Sequence, residues 1–185
     1  MVCSCEVDVN KTQWLREAKW VQNYAATLSA GGPQIGAILA QPPPGFGTQA
    51  VSTFSHHLDE LQRLPLVRGL RPQIPAIVNS SFHAAMREVG RRGLVVDINH
   101  GYNPPKSRLL GDDIGERGAS NAAGGVVEEI VSAAPNTTFI IEHLWGAPGI
   151  GSPVPDVEVA DWKAGLKSLA RYPRDQTSFF DSFLY

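Results

Sequence analysis

The chain has 185 residues, with 16 lysines and arginines against 18 aspartates and glutamates, a formal net charge of -2 at pH 7. Hydrophobic residues make up 43% and charged residues 18%, a near-average composition that excludes collagen-like repeats, coiled coil and wholesale disorder. There is no basic stripe to attract nucleic acid, and no apolar run reaches the roughly 20 residues that span a bilayer.

Short apolar runs alternate with amphipathic stretches along the chain. Cys3 to Val9 alternates as a strand does, with Cys3, Cys5, Val7 and Val9 on one face and Glu6 and Asp8 on the other. A helix capped by Asn10 or Thr12 follows, carrying Trp14, Ala18, Val21, Ala25 and Leu28 at helical spacing, and Gly31-Gly32-Pro33 stops it. Ile35 to Ala40 is continuously apolar, as in a strand buried on both faces. Phe54, Leu58 and Leu61 then mark a helix, and Leu66 to Arg71 the next strand. Ser80 or Ser81 can cap a helix with Phe82, Ala85, Met86 and Val89, ending at Gly93, before the strand Leu94 to Ile98. Val126, Val127, Ile130, Val131 and Ala134 form a further helical face, Thr138 to Glu142 a fifth strand, and Trp162, Leu166, Leu169 and Ala170 a last short helix.

Glu6, Gly36, Val67, Val95 and Phe139 mark strands spaced 30, 31, 28 and 44 residues apart. Strands alternating with helices imply parallel pairing through right-handed crossovers. A period near 30 residues fits the βα unit of an eight-fold barrel of roughly 250 residues, and also an open doubly wound sheet. The expectation is an α/β fold: a partial (β/α) barrel of the TIM type with about five to six βα units, spanning residues 1–171, and an atypical tail at 172–185. The tail, Tyr172 to Tyr185, is aromatic-rich and displays no clear strand–helix pattern. The stretches Gly101 to Gly118 and Gly146 to Asp161 read as long loops, and both follow the ends of strands, where parallel α/β folds place their sites.

Polar residues collect at those ends. Asp8 and Asn10 end the first strand, Gln41 follows the second, Arg71 closes the third, Asn99 and His100 the fourth, and His143 the fifth. Parallel strands would aim them into one mouth, where two histidines, an arginine and a carboxylate can bind a metal or orient a substrate. Asp97 lies mid-strand, and a buried carboxylate is costly without a partner, so it is expected to face the barrel interior or to pair with an arginine such as Arg71. His56-His57 diverge by about 100° on a helix and read as a solvated face, and His83 as a surface residue. Cys3 and Cys5 share a strand face and read as small buried hydrophobes rather than soft-metal ligands. Two cysteines make no disulfide framework, and the N-terminal residues do not form a secretory signal, so a cytoplasmic location is expected. Gly146 to Gly151 only superficially resembles a phosphate loop, having no Walker lysine.

The runs Leu64 to Arg71 (LPLVRGLR) and Pro135 to His143 (PNTTFIIEH), with IGAILA and RRGLVVDI in order between and before them, resemble the amidohydrolase-related (amidohydrolase-2) metal-dependent hydrolases. The resemblance covers about Glu6 to Arg171. It implies an eight-stranded (β/α) barrel in which an activated water attacks a lactone or amide carbonyl. By the resemblance, Cys3–Val9 is strand two, His143 the sixth-strand histidine, and His100 lies near the fifth-strand ligand position. His143 and His100 are then the candidate catalytic residues and metal ligands, and Arg71, Asn99 and Glu6 the candidate substrate-binding residues. One divalent metal, zinc or manganese, is the implied cofactor, with a metal-free chain as the alternative. The sequence departs from the family in having no His-Xaa-His pair and no counterpart of the eighth-strand aspartate, as expected of the middle of such a barrel.

Two main readings follow. In the first the protein is a hydrolase of a small lactone or amide. In the second it is a truncated, catalytically incompetent barrel that binds a ligand or a partner. In either, the open sheet edges invite a homo-oligomer. A third reading, a doubly wound domain holding a nucleotide at Gly146–Gly151, is the weakest. No nucleic-acid or membrane partner is expected.

Overall fold

Six parallel strands stand side by side in the order in which the chain makes them: β1 (Val2–Cys5), β2 (Ile35–Ala40), β3 (Val67–Leu70), β4 (Val95–Ile98), β5 (Thr138–Glu142) and β6 (Thr177–Phe180). A computed structural model of the chain describes residues 2–5, 11–29, 31–75, 78–98, 125–142, 156–173 and 177–180. Between the strands run helices α1 (Trp14–Ala25), α2 (Val51–Gln62), α3 (Ser80–Arg91), α4 (Gly125–Ala133) and α5 (Asp156–Leu169). A doubly wound sheet reverses its strand order at a switch point; this one does not. With crossovers of a single hand, an unreversed order places every helix on the same face of the sheet. The result is an open arc of a (β/α) barrel.

One face of the arc is the core. Ile38, Ala40, Leu70, Val96, Ile98, Phe139 and Ile141 are all buried and point toward the helices. They meet Trp14, Ala18 and Val21 of α1, Phe54, Leu58 and Leu61 of α2, Phe82, Ala85, Met86 and Val89 of α3, and Val127, Ile130 and Val131 of α4. Each large side chain moved out of water here contributes about 1.5–3 kcal/mol. Parallel register puts aligned residues on one face, so Leu39, Gly69 and Val95, then Asp97 and Ile140, line the opposite, inner face. Gly69 is required there. A Cβ on it would run into the Val95 side chain, lie 2.5 Å from the Val95 carbonyl oxygen and 2.9 Å from Leu39 Cδ2.

Local chemistry explains most element boundaries. A 3-10 turn, Lys11–Gln13, leads into α1, and Gln13 occupies its cap without a side-chain bond, so the expected cap by Asn10 or Thr12 is not what starts it. α3 is capped by Asn79, whose Oδ1 accepts from the Phe82 N–H at 2.9 Å, while Ser80 and Ser81 lie inside the helix. Gly93, with φ of 69°, turns the chain out of α3 in the left-handed conformation that glycine adopts freely. α5 starts at Asp156, ahead of the Trp162 region where a helix was expected. The tail holds an element the sequence pattern did not display: β6 pairs with β5 from Phe139↔Thr177 to Glu142↔Phe180.

One flank of α1 carries two exposed aromatic rings. Gln22 faces α2 and β3, since its Oε1 accepts from the Leu66 N–H at 2.9 Å. Trp20, about 200° away around the helix, therefore faces the other side. It is exposed, as is Tyr24, and the two rings stack at 5.7 Å with an interplanar angle of 7°. No helix among the described residues is long and apolar enough to cross a membrane.

Candidate functional site

The C-terminal ends of β3, β4 and β5 bring one guanidinium and two carboxylates together on the inner face. Arg71 follows β3 directly, and its N–H donates to the Ala40 carbonyl at 2.9 Å, extending the ladder by one residue. Its side chain therefore shares the orientation of Gly69 and crosses over β4. Arg71 Nε lies 3.6 Å from Asp97 Oδ2 on β4, and Nη2 donates to Glu142 Oε2 at the end of β5. Strands lie about 4.8 Å apart, so only a side chain as long as arginine bridges from the first to the third. Asp97 is fully buried, whereas Arg71 and Glu142 are each 12% exposed. The expected pairing of Asp97 with Arg71 is present. Glu142 is a partner that sequence reasoning missed. Its only signal was parity: it lies two residues beyond Ile140, which is in register with Asp97.

Of the candidate site residues, Arg71 is the one the structure describes. Glu6, Asn99, His100 and His143 lie outside the described residues, as do Gly101–Gly118, Gly146–Gly151, Asp8 and Asn10. The described histidines belong to the helical layer. His56 is exposed, and His57 packs its ring edge-on against Trp14 at 5.1 Å. His83 is not the surface residue expected: it is half-buried, with Nε2 3.4 Å from Glu129 Oε1 across the α3–α4 contact. A cleft of about 200 Å³ lined by Arg87, Arg91, Pro135, Asn136 and Thr137 opens at the opposite, N-terminal end of β5. Both of its arginines already have acceptors, Ala133 O at 3.0 Å and the Glu88 carboxylate.

A metal would need several free donors. No group of three or more His, Cys, Asp or Glu that could hold one occurs among the described residues. Asp97 and Glu142 already bind a cation, the Arg71 guanidinium, and a divalent ion on either would stand beside it and be repelled. The described residues alone do not fit a metal.

No protein-family model matches the sequence, and a search of curated proteins finds no match. Solved structures do match. An amidohydrolase from Burkholderia multivorans superposes with a TM-score of 0.63 at 15% identity, over 96% of this chain and 52% of that one. A second crystal structure of an amidohydrolase from that organism, with bound zinc, also gives 0.63, over 96% of this chain and 51% of that one at 15% identity. Amidohydrolase 2 from Bifidobacterium longum subsp. infantis gives 0.55 at 18% identity, over 96% and 52%. At these identities the likeness is one of fold. The chain has the fold of part of an amidohydrolase (β/α) barrel, and it spans about half the length of the structures it matches.

Proposed function

We propose that the protein is a hydrolase of the amidohydrolase type, acting on the lactone or amide carbonyl of a small molecule. The observation that carries this reading is the Arg71–Asp97–Glu142 cluster at the C-terminal ends of three consecutive parallel strands, the end at which barrels of this kind hold their sites. Arg71 holds the substrate, while Asp97 fixes the guanidinium from below. His143, next in sequence after Glu142, polarises the carbonyl, and His100 takes the proton from the attacking water. Asn99 and Glu6 complete the substrate contacts. As water adds to the carbonyl carbon, the ring oxygen or amide nitrogen leaves and takes up a proton, giving the open acid. The alternative use of the same two histidines is as ligands of one zinc or manganese ion; no step depends on it, and metal analysis of the purified chain distinguishes the two uses.

Hydrolysis of a lactone and amide panel by the wild type and by His143→Ala tests the reading. The expected result is turnover in the wild type and a loss of about 100-fold or more in the variant, with the fold intact by circular dichroism. Wild-type turnover in His143→Ala, or no turnover by the parent chain, overturns it. Ligand binding without turnover is the signature of the alternative, an incompetent barrel.

A cytoplasmic location and self-association over the open edges go with the same reading. The stacked, exposed Trp20 and Tyr24 on the flank of α1 support the second. Sedimentation of the chain as a monomer at micromolar concentration would remove it.

A further inference from the structure

At the end of the barrel opposite the mouth, two arginines of α3 face the cleft beside the turn from α4 to β5. We infer that this cleft is a separate binding site for a phosphate group, free or carried as a monoester by a small molecule.

The floor of the cleft is rigid. Thr137 is buried, its Oγ1 donates to the Met86 carbonyl at 2.9 Å, and its N–H donates to the Ala134 carbonyl at 3.0 Å. Gly90 lets the turn come this close to α3. A Cβ there would run into Thr137 Oγ1 and lie 2.7 Å from the Asn136 carbonyl oxygen. Every residue of α3 and of the stretch from α4 through β5 is described, so this floor is complete. Arg87 and Arg91 stand one helical turn apart and both line the space above it. That space, about 200 Å³, is the volume of roughly six waters, enough for a phosphate and the first atoms bonded to it.

The donors there are only partly used. Arg87 donates from Nη1 to the Ala133 carbonyl at 3.0 Å, closing the end of α4. That acceptor is neutral and takes one of five N–H donors, and Arg87 pairs with no carboxylate among the described residues. Arg91 gives Nε and Nη2 to Glu88 at 2.7 and 2.6 Å, and Glu88 is itself shared with Arg92. The Nη1 of Arg91 is left over. Asn136 adds a side-chain amide that is bonded to no described residue. Unused donors from three side chains therefore meet at one cleft.

Their number and spacing select the ligand. A tetrahedral dianion offers each guanidinium its own pair of oxygens, in the bidentate geometry that arginine favours. A planar carboxylate, with one charge and two oxygens, engages only one of the two in that way. The carbonyl ends of α3 and α4 carry about half a unit of negative charge each and temper the attraction, which places the affinity near about 1 mM.

Calorimetric titration at pH 8 in about 0.15 M sodium chloride, with inorganic phosphate, glycerol 3-phosphate and acetate as probes, tests the inference. Phosphate is expected to bind at one site, at least about tenfold more tightly than acetate. Arg87→Gln and Asn136→Asp should each weaken phosphate about tenfold or more, the first by removing a cation and the second by adding an anion. Arg63→Gln, at an exposed position that caps α2 outside the cleft, should leave phosphate binding within about twofold. No phosphate binding, or acetate binding as tightly, overturns the inference. So does a loss in Arg63→Gln as large as that in Arg87→Gln, which would mean diffuse attraction and no site. Asn136→Asp changes an exposed side chain and decides alone if Arg87→Gln does not fold. Glycerol 3-phosphate binding as tightly as phosphate supports a monoester ligand, and phosphate binding alone supports the free ion.

Discussion

Among the described residues two clusters join an arginine to two carboxylates, and they are built for different ends. At the α2–α3 junction, Arg92 uses all five of its N–H donors: Nε on Glu88 at 2.6 Å, Nη1 on Asp59 at 2.5 Å and Gln62 at 2.9 Å, and Nη2 on Ser55 O at 3.1 Å and Ser55 Oγ at 2.7 Å. Nothing is left over to bind a ligand. At the mouth, Arg71 engages carboxylates through Nε and Nη2, and both it and Glu142 keep part of their surface open. The same residue types thus make a fully bonded staple in the helical layer and, at the strand ends, an arginine whose donors are less fully used. Saturation of the donors, rather than composition or burial, separates a structural ion cluster from a candidate site.

The mouth cluster should be the more fragile one. Asp97→Asn removes the buried partner of Arg71, and breaking a buried pair in this way costs about 3–5 kcal/mol. Urea unfolding should show the loss, and replacing the whole triad as Asp97→Leu, Arg71→Met, Glu142→Gln should recover most of it. A loss below about 1 kcal/mol in Asp97→Asn would mean that the two clusters do not differ as described. Arg92→Ala comes next, at about 2–3 kcal/mol, because it leaves Glu88, Asp59, Gln62 and Ser55 short of a donor in one step. Its unfolding slope should stay unchanged, since only local contacts are lost.

Acid gives a graded version of the same test. The Glu88 carboxyl is held below its usual 4.5, first by the hydrogen bond from Arg91 and then by Arg92, against an opposing push from burial. Its contribution is therefore complete above pH 4.5 and is lost as pH falls through the lower folded value. Arg92→Ala should flatten this acid limb of the stability curve, and an unaltered limb would contradict the coupling. Arg91→Ala, on the same Glu88 but 67% exposed where Arg92 is 7%, should cost only about 0.5 kcal/mol.

Glu17 on α1 is the smallest case, a carboxylate with no arginine partner among the described residues. Its Oε2 is buried without a hydrogen-bond partner, and burial raises its carboxyl above 4.5. Folding then favours the protonated form, so stability is fuller at low pH and declines as pH rises past the usual carboxylate range. Glu17→Gln should raise the melting temperature by about 1–2 °C at pH 7 and by nothing below about pH 4.

The repeat was written clearly in the residues where burial was complete. Ile35 to Ala40 and Thr138 to Glu142 are strands over the expected spans, and Phe54, Leu58 and Leu61 are the buried face of α2. Such positions have one tolerable environment, and their spacing records it. The cap of α3 was expected at Ser80 or Ser81 and lies one residue earlier, at Asn79, because among successive good acceptors only geometry chooses. β6 left no trace because four residues, Thr177–Phe180, are too few for alternation to show among the aromatics around them. The Arg71–Asp97 pair was inferable from the cost of a mid-strand charge, whereas a glutamate closing a strand looks like any wet strand end until register places it beside Arg71.

The unreversed strand order has a consequence for how the chain is assembled. From β2 onward each strand hydrogen-bonds to the one made just before it, so each of these finds a partner already synthesised. The loop to be closed at each addition is one βα unit, and because closure entropy grows only slowly with length, even the longer step from β4 to β5 adds less than about 1 kcal/mol. A nascent chain can therefore gain structure unit by unit as it emerges, each new hairpin-sized step templated by the edge already in place. Pulse-labelled hydrogen exchange along such a chain would read as a staircase, protection climbing strand by strand in the order of translation.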